Sequence, residues 1–98
     1  MLNMTKQGFV YILSNKYRKA IYTGVTSNLK GRVWKHKTGA IRGFASKYTI
    51  DQLVYFEVHG NMYSAICREK KLKGSSRSRK LALVTSFNPC WRDVYDEL

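Results

Sequence analysis

Apolar and polar positions change places in short blocks along this chain, and the blocks predict strands and helices in turn. GFVYILSN, from Gly8 to Asn15, is apolar with two aromatics and ends at the polar, turn-prone NKYRK. A second short β-like run, AIYTGV, follows it, so the pair predicts a β-hairpin. Alternation along the first strand puts Phe9, Tyr11 and Leu13 on one face and Val10 and Ile12 on the other. On the second strand Tyr22 and Gly24 share a face. That spacing lets Tyr11 and Tyr22 meet on one side of the sheet.

Thr26 or Ser27 is the N-cap candidate for a helix running to about Lys37. Leu29, Val33 and Trp34 form its apolar stripe, and Gly31 inside it costs about 1 kcal/mol relative to alanine. Arg32 and His36 are four apart and so are neighbours at the edge of that stripe. DQLVYFEV, Asp51 to Val58, predicts a third strand, with a turn at HGN. Asn61 then caps a helix from Met62 to about Lys73. Met62, Ala65, Ile66 and Leu72 recur at helical spacing, and Glu69 falls near the centre of their stripe. A carboxylate there is costly unless a charge or a metal meets it. An i,i+4 pair with Lys73 is the bland account; the central position favours function. SSRSRKLALVTSF opens with a serine cap candidate and then turns apolar. LALV alone fits helix or strand, but its length and place predict a third helix ending at Phe87, before Asn88-Pro89.

Length and charge narrow the picture. Ninety-eight residues make one domain, 1–98, with enough apolar content for a modest core. The formal net charge is +12, and Met1 to Ile50 holds ten basic residues and no acid. A fold solvates either sign equally well, so the asymmetry points to a polyanionic partner, most commonly nucleic acid. A ribosome-associated or merely basic protein is the plainer alternative. No apolar run is long enough to span a membrane, and MLNMTKQG lacks the apolar core of a signal peptide. Cys67 and Cys90 make no disulfide framework and fit a reducing cytoplasm. With His36 and His59 far apart and no clustered thiols, a zinc site has little support.

FVYIL, then YTG eleven residues after Tyr11, Arg32 with His36 one turn on, Glu69 and Asn88 together resemble the GIY-YIG nuclease superfamily, in its small stand-alone bacterial form. Phe-Val-Tyr stands where the first motif names Gly-Ile-Tyr, and Thr23 where the second names isoleucine. Neither departure removes a polar atom that the chemistry needs. The resemblance implies an α+β fold, a three-stranded antiparallel sheet flanked by about three helices. It also implies phosphodiester hydrolysis with one divalent metal, Mg²⁺ or Mn²⁺. By position it assigns Tyr11 and Tyr22 as the motif tyrosines and Gly24 as the close-packing glycine. Arg32 becomes the catalytic arginine, His36 its helical neighbour, Glu69 the metal ligand and Asn88 a C-terminal site residue.

Each residue type suits such a task. The planar fork of Arg32 matches phosphate oxygens, and Glu69 can hold Mg²⁺ while water and phosphate complete the shell. Tyr11 or Tyr22 is the expected base, directly or through His36, with nearby positive charge expected to lower a phenol pKa from about 10. Lys30, Lys35, Lys37, Arg42 and Lys47 are expected to position the phosphate backbone. Tyr17, Tyr48 and Trp34 could stack on bases, although Trp34 reads first as core. No element reads as a groove-reading helix, so targeting is left to substrate shape or a protein partner. The leading expectation is a DNA endonuclease of repair, recombination or nucleic-acid turnover. A non-catalytic or weakly catalytic nucleic-acid-binding module, and an RNA-directed factor, are the alternatives.

Overall fold

Asn15 makes the first turn. Its side-chain Oδ1 accepts from the backbone N–H of Lys19 (2.9 Å) and Ala20 (3.3 Å), and Arg18 completes the reversal in a left-handed conformation at φ 59°. The hairpin so closed pairs β1 (Gly8–Ser14) with β2 (Ile21–Thr26), Tyr11 standing directly opposite Gly24. The computed structural model describes residues 7–39 and 49–98. In chain order the further elements are α1 (Leu29–Lys37), β3 (Gln52–His59), α2 (Met62–Lys73), α3 (Arg77–Phe87) and a 3₁₀ turn at Tyr95–Glu97. The sheet is antiparallel throughout, in the order β2-β1-β3, and the fold is α+β.

Strand β1 is central and apolar on both faces, so both faces must be covered. Tyr11 and Leu13 face α1 and pack with Leu29, Val33, Ile50, Leu53 and Val94. Val10 faces the other way, onto Ala65 and Leu72 of α2, and Ile12 packs with Val54, Val84 of α3 and Trp91. A bulge between Ile12 and Leu13 shifts the β1–β3 register, which lets Val54 and Tyr55 join the same cluster. The C-terminal segment then crosses to the α1 side. Val94 donates to the Leu53 carbonyl (2.8 Å), the Asp93 carboxylate accepts from Leu53 N–H (3.1 Å), and Lys37 pairs with Asp93.

Each helix begins at a side-chain cap. Asn61 accepts from Ser64 N–H and Ser76 from Arg79 N–H, as the sequence suggests. Helix α1 departs from expectation by one or two residues, because Asn28 rather than Thr26 or Ser27 is the cap; Thr26 Oγ1 instead accepts from Asn28 N–H and sets the turn before it. The cap also accounts for the glycine inside the helix. A Cβ on Gly31 would lie 2.5 Å from the Asn28 side-chain nitrogen, so alanine there would displace the group that caps the helix.

Gly31→Ala is therefore expected to miss the usual gain of about 1 kcal/mol, because it works against a cap worth about 1 kcal/mol. In an Asn28→Ala background, where the obstruction is gone, the same substitution should stabilise. Urea unfolding of the four proteins measures the coupling. Additive effects of the two substitutions would show that the cap and the glycine are unrelated.

Candidate active site

Tyr11 and Tyr22 come from neighbouring strands, Arg32 and His36 from one side of α1, and the other three gather about the Tyr11 ring, which lies against Gly24. A Cβ on Gly24 would lie 2.5 Å from Tyr11 Cζ, so the ring occupies the space that any other residue would fill. The Tyr11 and Tyr22 ring centroids are 6.3 Å apart, and the His36 ring lies 6.2 Å from the first and 5.5 Å from the second. Tyr11 Oη is 3.4 Å from His36 Nε2, at the long end of hydrogen bonding. Of these residues Tyr11 and His36 are buried and Arg32 is half-buried.

Helix α2 lies over β1 and β2 on the opposite side of the sheet and carries Glu69 at its buried border, 8% exposed. Lys73, one turn on, donates to Glu69 Oε2 at 2.7 Å, and its ammonium also sits 5.9 Å from the Tyr22 ring centre. The bland i,i+4 pair is thus formed, and it is formed beside the tyrosine cluster. Lys73 has its pKa raised, chiefly by the hydrogen bond to Glu69.

Electrostatics assign protonation states. Burial raises the Tyr11 pKa above its ordinary value, and the nearby Tyr22 and Glu69 add to that, while the Arg32 guanidinium beside the phenol pulls the other way and does not win. At Tyr11, burial in the core cluster between β1 and α1 outweighs the lowering by the Arg32 charge. His36 moves in the complementary sense. Burial first, and the Arg32 charge second, push its pKa down, so the imidazole is neutral at neutral pH. In its Nδ1–H form it accepts from the Tyr11 hydroxyl.

A family model described as the GIY-YIG catalytic domain matches residues 7–82 of this chain. The chain belongs to the GIY-YIG family. This GIY-YIG domain is 39% identical over 82 residues to a UPF0213 protein of Clostridium perfringens, covering 80% of this chain and 83% of that protein. It is 33% identical over 82 residues to a UPF0213 protein of Syntrophus aciditrophicus, covering 80% and 90% respectively. The solution NMR structure of a UPF0213 protein of Bacillus halodurans matches with a TM-score of 0.56 at 27% identity, over 90% of this chain and 93% of that one. The family supports a nuclease-like function and a nucleic-acid partner; the names of these relatives specify no activity. Among the described residues no helix is long and apolar enough to cross a membrane.

Several expected residues fall elsewhere. Among the described residues Asn88 makes no hydrogen bond to the cluster: it ends α3 and bonds to β3 and the C-terminal segment, whereas the tyrosine site is built on β1 and β2. Its Nδ2 donates to the carbonyls of Val54 (3.2 Å) and Arg92 (2.7 Å), and its Oδ1 accepts from Arg92 N–H (3.3 Å). Lys37 is not free to hold phosphate, because it pairs with Asp93 and lies 5.1 Å from the Tyr95 ring. Lys30 and Lys35 are exposed on α1 as expected, and Arg42, Lys47 and Tyr48 lie outside the described residues. Trp34 is 54% exposed rather than core; His36 closes the buried face of α1 with Leu29 and Val33. One step past Val33 turns Trp34 about 100° away from the sheet.

One polar cluster escaped the sequence reading. Tyr55, Glu57 and His59 share a face of β3 and converge with Arg68 of α2, whose Nε donates to both Glu57 oxygens at 3.1 and 3.2 Å. Burial works to raise the Glu57 pKa, but the bonds from Arg68, Tyr55 and His59 bring it below the ordinary value, and Tyr55 is pushed up to about 12, by burial first. The period-two spacing of 55, 57 and 59 was the available signal.

Asn88→Ala is expected to cost about 1–3 kcal/mol, since it leaves the buried Val54 carbonyl and the part-buried Arg92 carbonyl without their side-chain donor. Activity per folded molecule should change little. Thermal melts set beside nuclease rates make the distinction: an inactive variant of unchanged stability would return Asn88 to the site.

Proposed function

We propose that the protein is a metal-dependent endonuclease that hydrolyses DNA phosphodiester bonds, acting in repair, recombination or nucleic-acid turnover. The observation that supports it most is the convergence on the Tyr11 phenol, itself laid against Gly24, of a second phenol, a neutral imidazole and a guanidinium, with a buried carboxylate on α2.

The division of labour follows from the protonation states. A water aligned for attack must lose a proton, and a phenol whose pKa is raised does not take it readily at neutral pH. Neutral His36 does, either directly or by drawing the proton of Tyr11 as that hydroxyl receives the one from water. Arg32, held charged beside both phenols, offers its fork to the non-bridging phosphate oxygens as negative charge builds on them. Among the described residues no cluster of three or more acidic, histidine or cysteine ligands occurs, so a single-carboxylate site is the one to test. Glu69 fits it: a buried carboxylate with an exposed lysine as its partner can exchange that cation for another. It would hold one Mg²⁺ or Mn²⁺ with water and phosphate completing the shell, and the chemistry supplied is charge neutralisation at the scissile phosphate and leaving oxygen. Exposed Lys30 and Lys35 are assigned to the phosphate backbone, in a protein of net charge +12.

The Glu69–Lys73 pair also favours the second reading, a module that binds nucleic acid and cuts little, because the carboxylate is already neutralised. Glu69→Gln separates the two readings. On duplex, nicked, branched and single-stranded DNA with Mg²⁺ or Mn²⁺, the variant should cut at least about 10²–10³-fold more slowly while binding within a few-fold of the parent. Unchanged cutting would remove Glu69 from the mechanism.

The lowered His36 pKa fixes the direction of the pH dependence. The base is present above that pKa and is lost as pH falls through it. The acid limb of kcat/KM should therefore lie below the ordinary histidine value of about 6.5 and vanish in His36→Gln. A limb above that value in the parent protein would contradict a neutral, buried imidazole as base.

A further inference from the structure

The outer flank of α2 carries a pattern that the proposed chemistry uses only at Lys73. Tyr63, Ile66, Lys70 and Lys73 recur at i, i+3, i+7 and i+10, one stripe along the helix. Tyr63 is 78% exposed and Ile66 37%, and both are large hydrophobics left in water. Lys70 is exposed, and among the described residues it has no ion-pair partner. The stripe runs beside Glu69 and ends at Lys73, which reaches Glu69 and the Tyr22 ring. The opposite flank of α2, with Arg68 and Lys71, instead faces a groove shared with α3. The aromatic stripe therefore lies on the side of α2 that borders the candidate site.

We propose that this stripe is a track for a nucleic-acid strand with unstacked bases, Tyr63 being the platform for one base and Lys70 a phosphate contact. The proposal rests on the nuclease reading and narrows its substrate to DNA that is single-stranded or frayed beside the cut. Two arguments select this occupant over an apolar peptide. The stripe has two lysines and no acid, in a protein of net charge +12, and it is continuous with the residues assigned to phosphate chemistry. A phenol ring standing in solvent is also a sequence-tolerant stacking surface, since every base has a π-face. Tyr63 and Glu69 are six residues apart, about 9 Å along the helix axis. That is the length of two or three stacked nucleotides at about 3.4 Å each, so the stacked base would lie that far from the scissile phosphate.

The test is binding of the whole protein, by fluorescence anisotropy, to a short single-stranded oligonucleotide and to a blunt duplex of the same length. Tyr63→Ala should weaken the single strand about five- to a hundredfold and leave the duplex within about twofold, while Tyr63→Phe, which keeps the ring, should bind both as the parent does. Lys70→Gln should weaken both probes and flatten the salt dependence of each by about one phosphate contact. Tyr63 is exposed, so circular dichroism should show the variants folded. If the parent binds both probes and Tyr63→Ala loses neither, or loses both equally, the track is wrong and the nuclease reading survives. If the parent binds neither probe, both proposals fall. A change in sedimentation of Tyr63→Ala, with oligonucleotide binding intact, would make the stripe a protein interface and overturn the assignment.

Discussion

The contact between the Tyr11 ring and the bare backbone of Gly24 is the constraint on which the rest of the site depends. Tyr11 belongs to the central strand, where both faces must be covered, so its ring is part of the core before it is part of any chemistry. Laid across its cross-strand partner, the ring brings its hydroxyl to His36. A side chain at position 24 would lift the ring and break that approach. The same burial that fixes the phenol also raises its pKa, and it lowers that of the imidazole facing it. Position and protonation thus have one cause. Two weakly polar groups have been pushed in opposite directions by the same apolar surroundings, which is how one environment can separate a proton donor from a proton acceptor.

Charge is arranged around that centre by pinning the acids. Glu57 is held by Arg68 and His59, Glu69 by Lys73, Asp93 by Lys37 and Glu97 by Arg92. Two of these ties, Glu57–Arg68 and Asp93–Lys37, join separate elements: β3 to α2, and α1 to the C-terminal segment. Lys37 shows the consequence. It belongs to the basic run that suggests phosphate binding, yet its ammonium is spent on holding Asp93, which in turn bonds the edge of β3. Among the described residues the positive surface is what remains after this pairing, and it lacks the Lys37 charge that the sequence suggests.

Local signals carried the architecture well. Alternation over Gly8 to Asn15 placed β1, and the Asn61 cap placed α2, within a residue of where they are, and α3 ends at Phe87 as expected, because short-range hydrogen bonding decides those boundaries. The stripe of α2 also put Glu69 at the core border, where burial leaves it. Three-dimensional packing decided what the sequence left hidden. Nothing in ALVTSFN tells Asn88 that the carbonyls of Val54 and Arg92 will need donors. Nothing in RVWKHK says that His36 rather than Trp34 will close the buried face, since both sit at the margin of the apolar stripe. The sheet underneath settles such margins, and a single helix does not contain that information.

The two sides of the sheet therefore have different duties in the proposed mechanism. Helix α1 brings Arg32 and His36 to one face of the hairpin, while α2 lies on the other face and delivers Glu69 and Lys73 at the β2 edge. Neither helix alone assembles acid, base and phosphate ligand. In that proposal the first half of the chain, rich in cations and free of acids, is the part that holds the polyanion. Turning that hold into a cut requires a carboxylate that is buried enough to stay in place, yet close enough to the edge to meet the phosphate. Lys73 reconciles the two requirements. An unpaired carboxylate at that depth is costly, and the exposed Lys73 ammonium one turn away is the partner that offsets the cost. On the proposed mechanism the pair is the resting form of the site, and a cation replacing lysine at Glu69 is what would separate cutting from binding.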